Sequence, residues 1–197
     1  MKALLINGSH NTKGCTFTAL AEMKKVFEQE GIDAEIISIA MEDKAFLSCE
    51  LKEGIVEEVL EKAKEADCFV FGSPVHYAAP SGLITLFMDK LFIAGGKHLA
   101  FKPASAVVSC RRGGASAAFE QINKYFTINN MPVVSSNYWN MVHGNSPDEV
   151  YKDEEGIQTV QGLARNMAWL VKCIELGKNN NIPAPEPEAK IKTNYIR

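Results

Sequence analysis

The chain of 197 residues lacks the features that mark membrane proteins and nucleic-acid-binding proteins. No window approaches the roughly 18 consecutive apolar residues that a membrane-spanning helix needs. Lysine and arginine together number 21 against 24 aspartate and glutamate residues, which gives a net charge of −3. A protein that binds the phosphate backbone of a nucleic acid needs a positively charged surface, and this charge balance does not predict one. We therefore expect neither a membrane span nor a nucleic-acid partner.

Cysteine is also sparse, and its five positions are scattered: Cys15, Cys49, Cys68, Cys110 and Cys173. The odd number and the absence of paired spacings argue against a disulfide framework and against a zinc site. The apolar run that precedes Asn7 and Gly8 is too short for a signal peptide. We expect reduced thiols, no bound metal and a cytoplasmic location.

What the chain does contain is a regular alternation of short apolar strands and amphipathic helices. Strands are predicted over residues 2–6, 34–39, 68–71 and 104–109, with a fifth beginning at Val133 and Val134. Helices are predicted over residues 16–30, 55–64, 83–92, 117–126 and 158–176. Continuous apolar strands between helices are typical of a parallel sheet covered on both faces. The sequence thus predicts an α/β fold, a doubly wound five-stranded parallel sheet in a three-layer sandwich, whose ligands lie beyond the carboxyl ends of the strands.

The length suits one domain, which we place at residues 1–178. A tail over residues 179–197 differs in character, with Pro183, Pro185 and Pro187 in a polar run. Two interpretations of this tail stay open: a frayed end, or a segment that lies across a neighbouring subunit.

A polar loop over residues 8–16 follows the first strand and opens the first helix. Backbone amides of such a loop converge with the helix N-terminus on one anion site, to which Ser9 and Thr16 add hydroxyl donors. The loop is not a Walker A motif, because Gly14 is followed by Cys15 where that motif needs a lysine. The glycine fingerprint of dinucleotide-binding proteins is missing as well. The pattern favours the terminal phosphate of a mononucleotide over ATP or NAD.

A second loop, residues 72–82, follows the third strand. Pro74 and Pro80 restrict its backbone at both ends, and Tyr77 offers a flat face on which a ring can stack. Ser81 has the position of the N-cap of the next helix. The alternative for His76 and Tyr77 is a pair of ordinary surface residues.

A third loop, residues 109–115, follows the fourth strand. It places Arg111 and Arg112 directly before Gly113 and Gly114, so that positive charge and free amides lie beside the same crevice. Such a loop suits an anionic ring or a second phosphate group, and a solvated turn is the alternative.

These loops resemble those of the flavodoxin-like NAD(P)H-dependent FMN reductase family, which includes quinone reductases and iron–sulfur flavoproteins. The resemblance covers nearly the whole chain, and its most specific part runs from residues 72–77 through 80–82 into 87–90. It implies a flavodoxin-like fold and a dimer with the flavin near the subunit boundary. It implies that the FMN phosphate is bound by residues of the first loop: Ser9, Asn11, Gly14, Cys15 and Thr16. For the isoalloxazine ring it implies Pro74, Val75, His76 and Tyr77. It also implies that the pyrimidine side of the ring is flanked by residues of the third loop: Ser109, Arg111, Arg112, Gly113 and Gly114.

The sequence departs from the iron–sulfur members of that family in one respect. Those members carry a compact group of cysteines after the second strand, where this chain has only Cys49. A [4Fe–4S] cluster needs about four thiolates. We therefore expect FMN without an iron–sulfur cluster.

The resemblance implies a ping-pong reaction in which NADPH or NADH reduces FMN and then gives way to a small electron acceptor such as a quinone or a flavin. The cofactor carries the hydride chemistry, so no catalytic side chain is assigned. The amides from Val75 to Tyr77 and the loop that carries Arg111 and Arg112 are expected to stabilise the anionic reduced flavin. Two other functions stay open, a flavodoxin-type electron carrier and a flavin-binding module without turnover.

Two further features concern the surroundings of the site. Trp139, Asn140 and His143 either form a wall of the acceptor pocket or serve packing and dimer contacts. The helix over residues 83–92 is apolar around most of its circumference, which predicts a homodimer built on it. Burial of that helix within a single chain is the alternative.

Overall fold

The computed structural model describes residues 1–42, 45–186, 188–189 and 191–196. The strands are β1 (Lys2–Asn7), β2 (Asp33–Ser38), β3 (Cys68–His76), β4 (Ala79–Pro80), β5 (Ala104–Cys110) and β6 (Met141–His143). The helices are α1 (Cys15–Gln29), α2 (Ile55–Glu65), α3 (Gly82–Gly95), α4 (Ala115–Ile128), α5 (Pro147–Val150) and α6 (Glu154–Asn179). Short 3₁₀ turns lie at Phe46–Ser48 and Gly96–His98.

Five of these strands form one parallel sheet in the order β2-β1-β3-β5-β6. This is the strand order of the flavodoxin-like doubly wound fold, so the predicted fold class is confirmed. The order reverses between β1 and β3, which places a crevice beyond the carboxyl ends of these strands and of β5.

Two apolar layers cover the sheet, because successive side chains of a strand point to opposite faces. Phe69 and Phe71 of β3 point to one side, where they join buried side chains of α2, α3 and α4. Cys68 and Val70 point to the other side, toward α1 and α6. The sheet is therefore held rigidly between two layers of helices, and the loops at its carboxyl edge start from fixed positions.

The predicted start of the fifth strand was wrong. Val133 makes a single isolated bridge to Ala104, and the strand itself, β6, lies further along the chain and pairs with the other end of β5. Between the two points the chain leaves the sheet over residues 135–140. Asn140 holds this excursion in place, since its side-chain amide donates to Ser105 Oγ (2.9 Å) and to the Ala106 carbonyl (3.2 Å).

Helix α3 buries one face, which carries Ile84, Phe87, Met88 and Leu91. Leu86 and Ile93 lie on the opposite side and stay exposed, at 47% and 87%. The sequence predicts a helix that is apolar around most of its circumference. In the structure, the apolar side chains that remain exposed form only a narrow strip. Within the described ranges, no helix combines the length and the apolar character needed to cross a membrane.

The tail begins where α6 ends. The Ile182 amide donates to the Gly177 carbonyl at 2.9 Å, and residues 182–185, which are exposed, line a cavity beside the end of α6 at the amino edge of the sheet. In the described part of the tail beyond Asn179 there is no helix or strand, and Pro187 lies outside the described residues.

Candidate functional site

The first loop is ordered by its own side chains. The Ser9 amide donates to Asn7 Oδ1 (3.2 Å), the Asn11 amide to Ser9 Oγ (3.1 Å), and the Lys13 amide to Asn11 Oδ1 (3.1 Å). Ser9 is buried, and its hydroxyl accepts a hydrogen bond in this network, so its own proton remains available for a donor role.

The loop ends at Gly14, the N-cap residue of α1, and no side chain caps the amides of the first turn. Such amides and the positive end of the helix dipole favour an anion. Burial raises the pKa of the Cys15 thiol, so this residue stays neutral at neutral pH and adds no repulsive charge. Its Sγ lies 3.6 Å from the Gly144 carbonyl and is the donor of that contact. The first loop thus has the chemistry of a phosphate site.

The second loop is shorter than predicted, because β3 runs on to His76 instead of ending at Phe71. Pro74, Val75 and His76 therefore lie at the end of a strand. The chain then turns at Tyr77 and Ala78 and pairs back antiparallel through β4. Both turn residues have positive φ, 52° and 60°, as in a type I′ hairpin turn. Left-handed backbone at two residues other than glycine is strained.

This hairpin, residues 74–80, presents a fully exposed Tyr77 ring at its tip. Its base is anchored, because the Ser81 amide donates to Ser73 Oγ at 3.0 Å. Ser81 also accepts from the Ile84 amide (3.2 Å), which confirms it as the N-cap of α3.

The third loop meets the hairpin at Gly114. This residue has φ +90°, and a Cβ placed on it would lie 2.7 Å from Ala78 Cα and 3.1 Å from Val75 Cγ1. Only glycine allows both the backbone conformation and the close approach. Arg111 and Arg112 lie on the same loop and are exposed.

Two hydrogen bonds join the three loops across the carboxyl edge of the sheet, and a third joins the end of β5 to the segment after β6. The Ser81 hydroxyl donates to the Gly8 carbonyl at 2.7 Å, which links the hairpin to the first loop. Thr16 Oγ1 and Ser109 Oγ lie 2.8 Å apart and link the first loop to the third. The Gly144 amide donates to the Cys110 carbonyl (3.2 Å). The predicted phosphate-binding and ring-binding segments are therefore parts of one connected edge.

The three remaining candidates have different environments: Trp139 and Asn140 lie just before β6, and His143 is its last residue. Asn140 is buried, and its side chain is hydrogen-bonded to Ser105, Ala106 and Ser136, which favours the packing role among the two alternatives. His143 is held through its backbone, whose amide donates to Asp153 Oδ2 at 2.6 Å. Trp139 is half-exposed and packs edge-on against Tyr138, with ring centroids 5.0 Å apart.

Sequence reasoning missed one contributor to this edge, the segment that carries Phe46 and Cys49. The Phe46 ring packs edge-on against His10 of the first loop and His76 of the hairpin, with centroid distances of 5.0 and 5.3 Å. No periodicity marks this segment, which lies outside every regular strand and long helix. The only signal in the sequence is a short apolar group, Ala45, Phe46 and Leu47, between polar residues.

The cysteines do not fit an iron–sulfur cluster. Cys49 is the single cysteine in the segment after β2, and the other four are distributed over α1, β3, β5 and α6. In the part of the chain that the structure describes, no three histidine, cysteine or acidic side chains are grouped to hold a metal. The absence of iron stays a prediction for metal analysis.

Comparison with known proteins gives a consistent result. The family model described as NADPH-dependent FMN reductase matches residues 1–146. An iron–sulfur flavoprotein of Methanocaldococcus jannaschii is 31% identical over 192 residues, which cover 89% of this chain and 100% of the relative.

Solved structures support the fold. A flavodoxin from the domain Archaea matches with a TM-score of 0.64 at 20% identity, over 87% of this chain and 99% of the flavodoxin. The protein RosB, solved with bound 8-demethyl-8-formylriboflavin-5'-phosphate, matches with a TM-score of 0.69 at 16% identity, over 100% of this chain and 94% of RosB.

Proposed function

Because the chain belongs to the NADPH-dependent FMN reductase family, we propose that it is a cytoplasmic FMN-dependent NAD(P)H oxidoreductase that reduces a small acceptor such as a quinone or a flavin. The observation that carries this proposal is the connected carboxyl edge, where an uncapped helix start, a hairpin and a glycine-rich loop meet. An anion site and a platform for a flat ring, fixed relative to each other, match the two ends of FMN.

In this proposal the first loop holds the phosphate through Ser9, Thr16 and the amides around Gly14. The hairpin lies along the isoalloxazine ring, with Tyr77 available to stack on it. FMN, when bound, supplies the hydride chemistry by accepting a hydride from the nicotinamide and passing two electrons to the acceptor. The protein places the ring, and the charges of Arg111 and Arg112 favour its anionic reduced form.

The test starts with the purified protein, to which FMN and FAD are offered in equal amounts before the unbound flavin is removed. We expect heat to release FMN and not FAD, because the first loop is built for a terminal phosphate. Anaerobic addition of NADPH or NADH should bleach the flavin absorbance, and a quinone should restore it. The same sample should contain no stoichiometric iron. Recovery of FAD, or several irons per chain, would contradict the cofactor assignment.

The same experiment separates the two other functions. A flavodoxin-type carrier would bind FMN but show no direct bleaching by either nicotinamide cofactor. A module without turnover would bind FMN, and NAD(P)H would bleach that flavin once at most. It would show no continuing oxidation of NAD(P)H when a quinone is present. Sustained turnover is the result expected of the oxidoreductase.

We further propose that the protein forms a homodimer through the exposed strip of α3. Ile93 is 87% exposed on a helix whose other face is packed in the core, and apolar strips of this kind favour self-association. We expect Ile93→Glu to shift the light-scattering mass from dimer toward monomer, since a carboxylate cannot be buried unpaired. Ile128 is 77% exposed at the end of α4, and Ile128→Glu serves as the matched control that should leave the dimer intact. A wild-type protein that runs as a monomer with full activity would refute the dimer.

A further inference from the structure

We propose that residues 191–196, here called the arm, bind in a cavity of a second copy of this chain, so that two copies exchange their tails. The cavity, here called the amino-edge cavity, has a volume of about 560 Å³. It lies between the end of α6, the start of the tail and the loops that precede β3 and β5. The inference concerns an interaction surface and does not depend on the proposed flavin chemistry.

The walls of the amino-edge cavity are mostly apolar. Phe101 and Pro103 come from the loop before β5, Val171 and Ile174 from α6, and residues 182–185 from the tail. The volume lies within the roughly 300–1,000 Å³ of pockets that enclose a sizeable ligand. Residues 182–185 line the cavity and are themselves exposed, so this side is open to solvent. A partner that covers these apolar walls would remove them from water, which is favourable.

The arm carries the apolar side chains that such a cavity could cover. Ile191, Tyr195 and Ile196 are 97%, 96% and 85% exposed. In an extended chain alternate side chains share a face, so Ile191 and Tyr195 lie on the same side as Thr193. The polar Lys192 lies on the opposite side. This alternation is typical of an extended segment that rests on a surface with one face buried.

The geometry of the tail favours a second copy over the arm's own chain. Pro183 and Pro185 favour an extended conformation, and at about 3.1 Å per residue the six steps from Pro185 to Ile191 span about 19 Å. To reach its own cavity, the arm would have to reverse direction. Beyond Asn181 the described tail residues contain no hydrogen-bonded turn. An arm that points away from its own chain can reach a neighbour, and two-fold symmetry lets each copy supply one arm and one cavity.

A polar group at the cavity suits an extended chain as the occupant. Lys102 Nζ donates to the carbonyls of Ala63 (2.6 Å) and Lys64 (3.3 Å), so one of its three N–H groups lacks a partner among the described residues. Burial lowers the pKa of Lys102, because its ammonium group is partly withdrawn from water. An extended chain presents backbone carbonyls that are not paired within the chain, and one of them can accept from this group.

Arm exchange is compatible with the other two surfaces that this chain is proposed to use. The described lining of the cavity includes no residue of α3, so the exchange is a contact separate from the exposed strip of that helix. The phosphate loop and the hairpin lie at the carboxyl edge of the sheet, at the other end of the strands. Arms bound at the amino edge therefore leave the candidate flavin site open.

Disulfide trapping tests the exchange, because the exposed Cys173 lines the cavity. A donor copy carries Tyr195→Cys together with Cys173→Ser, and an acceptor copy keeps both native residues. The two full-length copies, with different affinity tags, are produced together so that mixed assemblies form, and oxidised glutathione is then added. We expect a covalent dimer of one donor and one acceptor, and peptide mass spectrometry should find the thiol at position 195 joined to Cys173.

Two controls measure the background of random collisions. A donor with Leu47→Cys in place of Tyr195→Cys presents a thiol at a residue that is 96% exposed at the opposite edge of the sheet. Its yield of covalent dimer should be lower by about tenfold or more, since a bound arm raises the effective concentration of its thiol. Cys173→Ser in the acceptor as well should abolish the specific link.

A matched pair of acceptor variants tests the cavity itself. Ile174 lines the cavity, and Ile174→Glu should lower the yield to that of the Leu47→Cys control, because the apolar arm would have to bury a carboxylate. Leu176 lies on the same helix, is 65% exposed and does not line the cavity. Leu176→Glu should therefore be trapped as well as the unmodified acceptor.

Three results would overturn the inference. In a chain that carries Tyr195→Cys and keeps Cys173, a link formed only within single chains would mean that each tail fills its own cavity. A donor yield no higher than that of the Leu47→Cys control would mean that the arm does not occupy the cavity. Equal trapping by the Ile174→Glu and Leu176→Glu acceptors would place the arm elsewhere on the neighbour.

Discussion

Replacement of Gly114 by alanine is expected to weaken FMN binding by at least about tenfold, or roughly 1.4 kcal/mol. A Cβ at this position would lie 2.7 Å from Ala78 Cα and 3.0 Å from Ala78 Cβ, and the first of these atoms belongs to the backbone. The overlap cannot be relieved by a side-chain rotation, so the hairpin or the third loop must move. Both segments are assigned to the isoalloxazine ring, and binding of that ring depends on their spacing.

The same substitution also strains the backbone, because φ at Gly114 is +90°. A residue with a Cβ in this conformation costs about 1 kcal/mol or more. Thermal unfolding of Gly114→Ala should therefore occur a few degrees below that of the wild type. Fluorescence titration of FMN gives the affinity on the same samples.

Two other glycines separate the effects of strain, contact and location. Gly54 has φ +69° with open space around it, at the start of α2, so Gly54→Ala should lose stability but keep its FMN affinity. Gly82 lies at the start of α3 on the same edge of the sheet, with no positive φ and with open space around it, so Gly82→Ala should change neither quantity by much. If Gly114→Ala bound FMN as tightly as Gly54→Ala, the contact between the hairpin and the third loop would have no part in the site.

These loops show how far the sequence specifies the structure. Strands β1, β2 and β5 and the helices that follow them were predicted to within a few residues, since buried parallel strands and amphipathic helices have strong patterns. The hairpin was not predicted. Its turn residues, Tyr77 and Ala78, lack the asparagine and glycine that usually mark a type I′ turn, and tertiary contacts impose the positive φ values.

The two remaining departures have the same origin. Val133 and Val134 have strand-forming side chains, but the hydrogen bonds of Asn140 to β5 set the register of the last strand further along the chain. Phe46 reaches His10 and His76 only because the segment after β2 folds back over the carboxyl edge. Both depend on partners that are distant in sequence, and a local pattern carries no information about them.

Joint replacement of Ser9 and Thr16 by alanine is expected to weaken FMN binding by about 10²–10⁴-fold. Hydrogen bonds to a charged group contribute roughly 1.5–3 kcal/mol each, and both hydroxyls are assigned to the phosphate dianion. Ser9 Oγ accepts from the Asn11 amide, which leaves its proton free for that role. Thr16 Oγ1 pairs with Ser109 Oγ, and when Ser109 is the donor of that pair the Thr16 proton is free as well.

Riboflavin makes this test specific, because it has the ring of FMN but no phosphate. The wild type should prefer FMN strongly, and the double variant should lose most of that preference while its affinity for riboflavin stays close to the wild-type value. Thr18→Ala is the matched control: its hydroxyl is buried in the same helix and donates to the Gly14 carbonyl, so its loss perturbs the helix start without removing a phosphate donor. Circular dichroism should show all variants folded. Equal losses of FMN and riboflavin affinity in the double variant would mean that Ser9 and Thr16 shape the loop and that the phosphate is held by other groups.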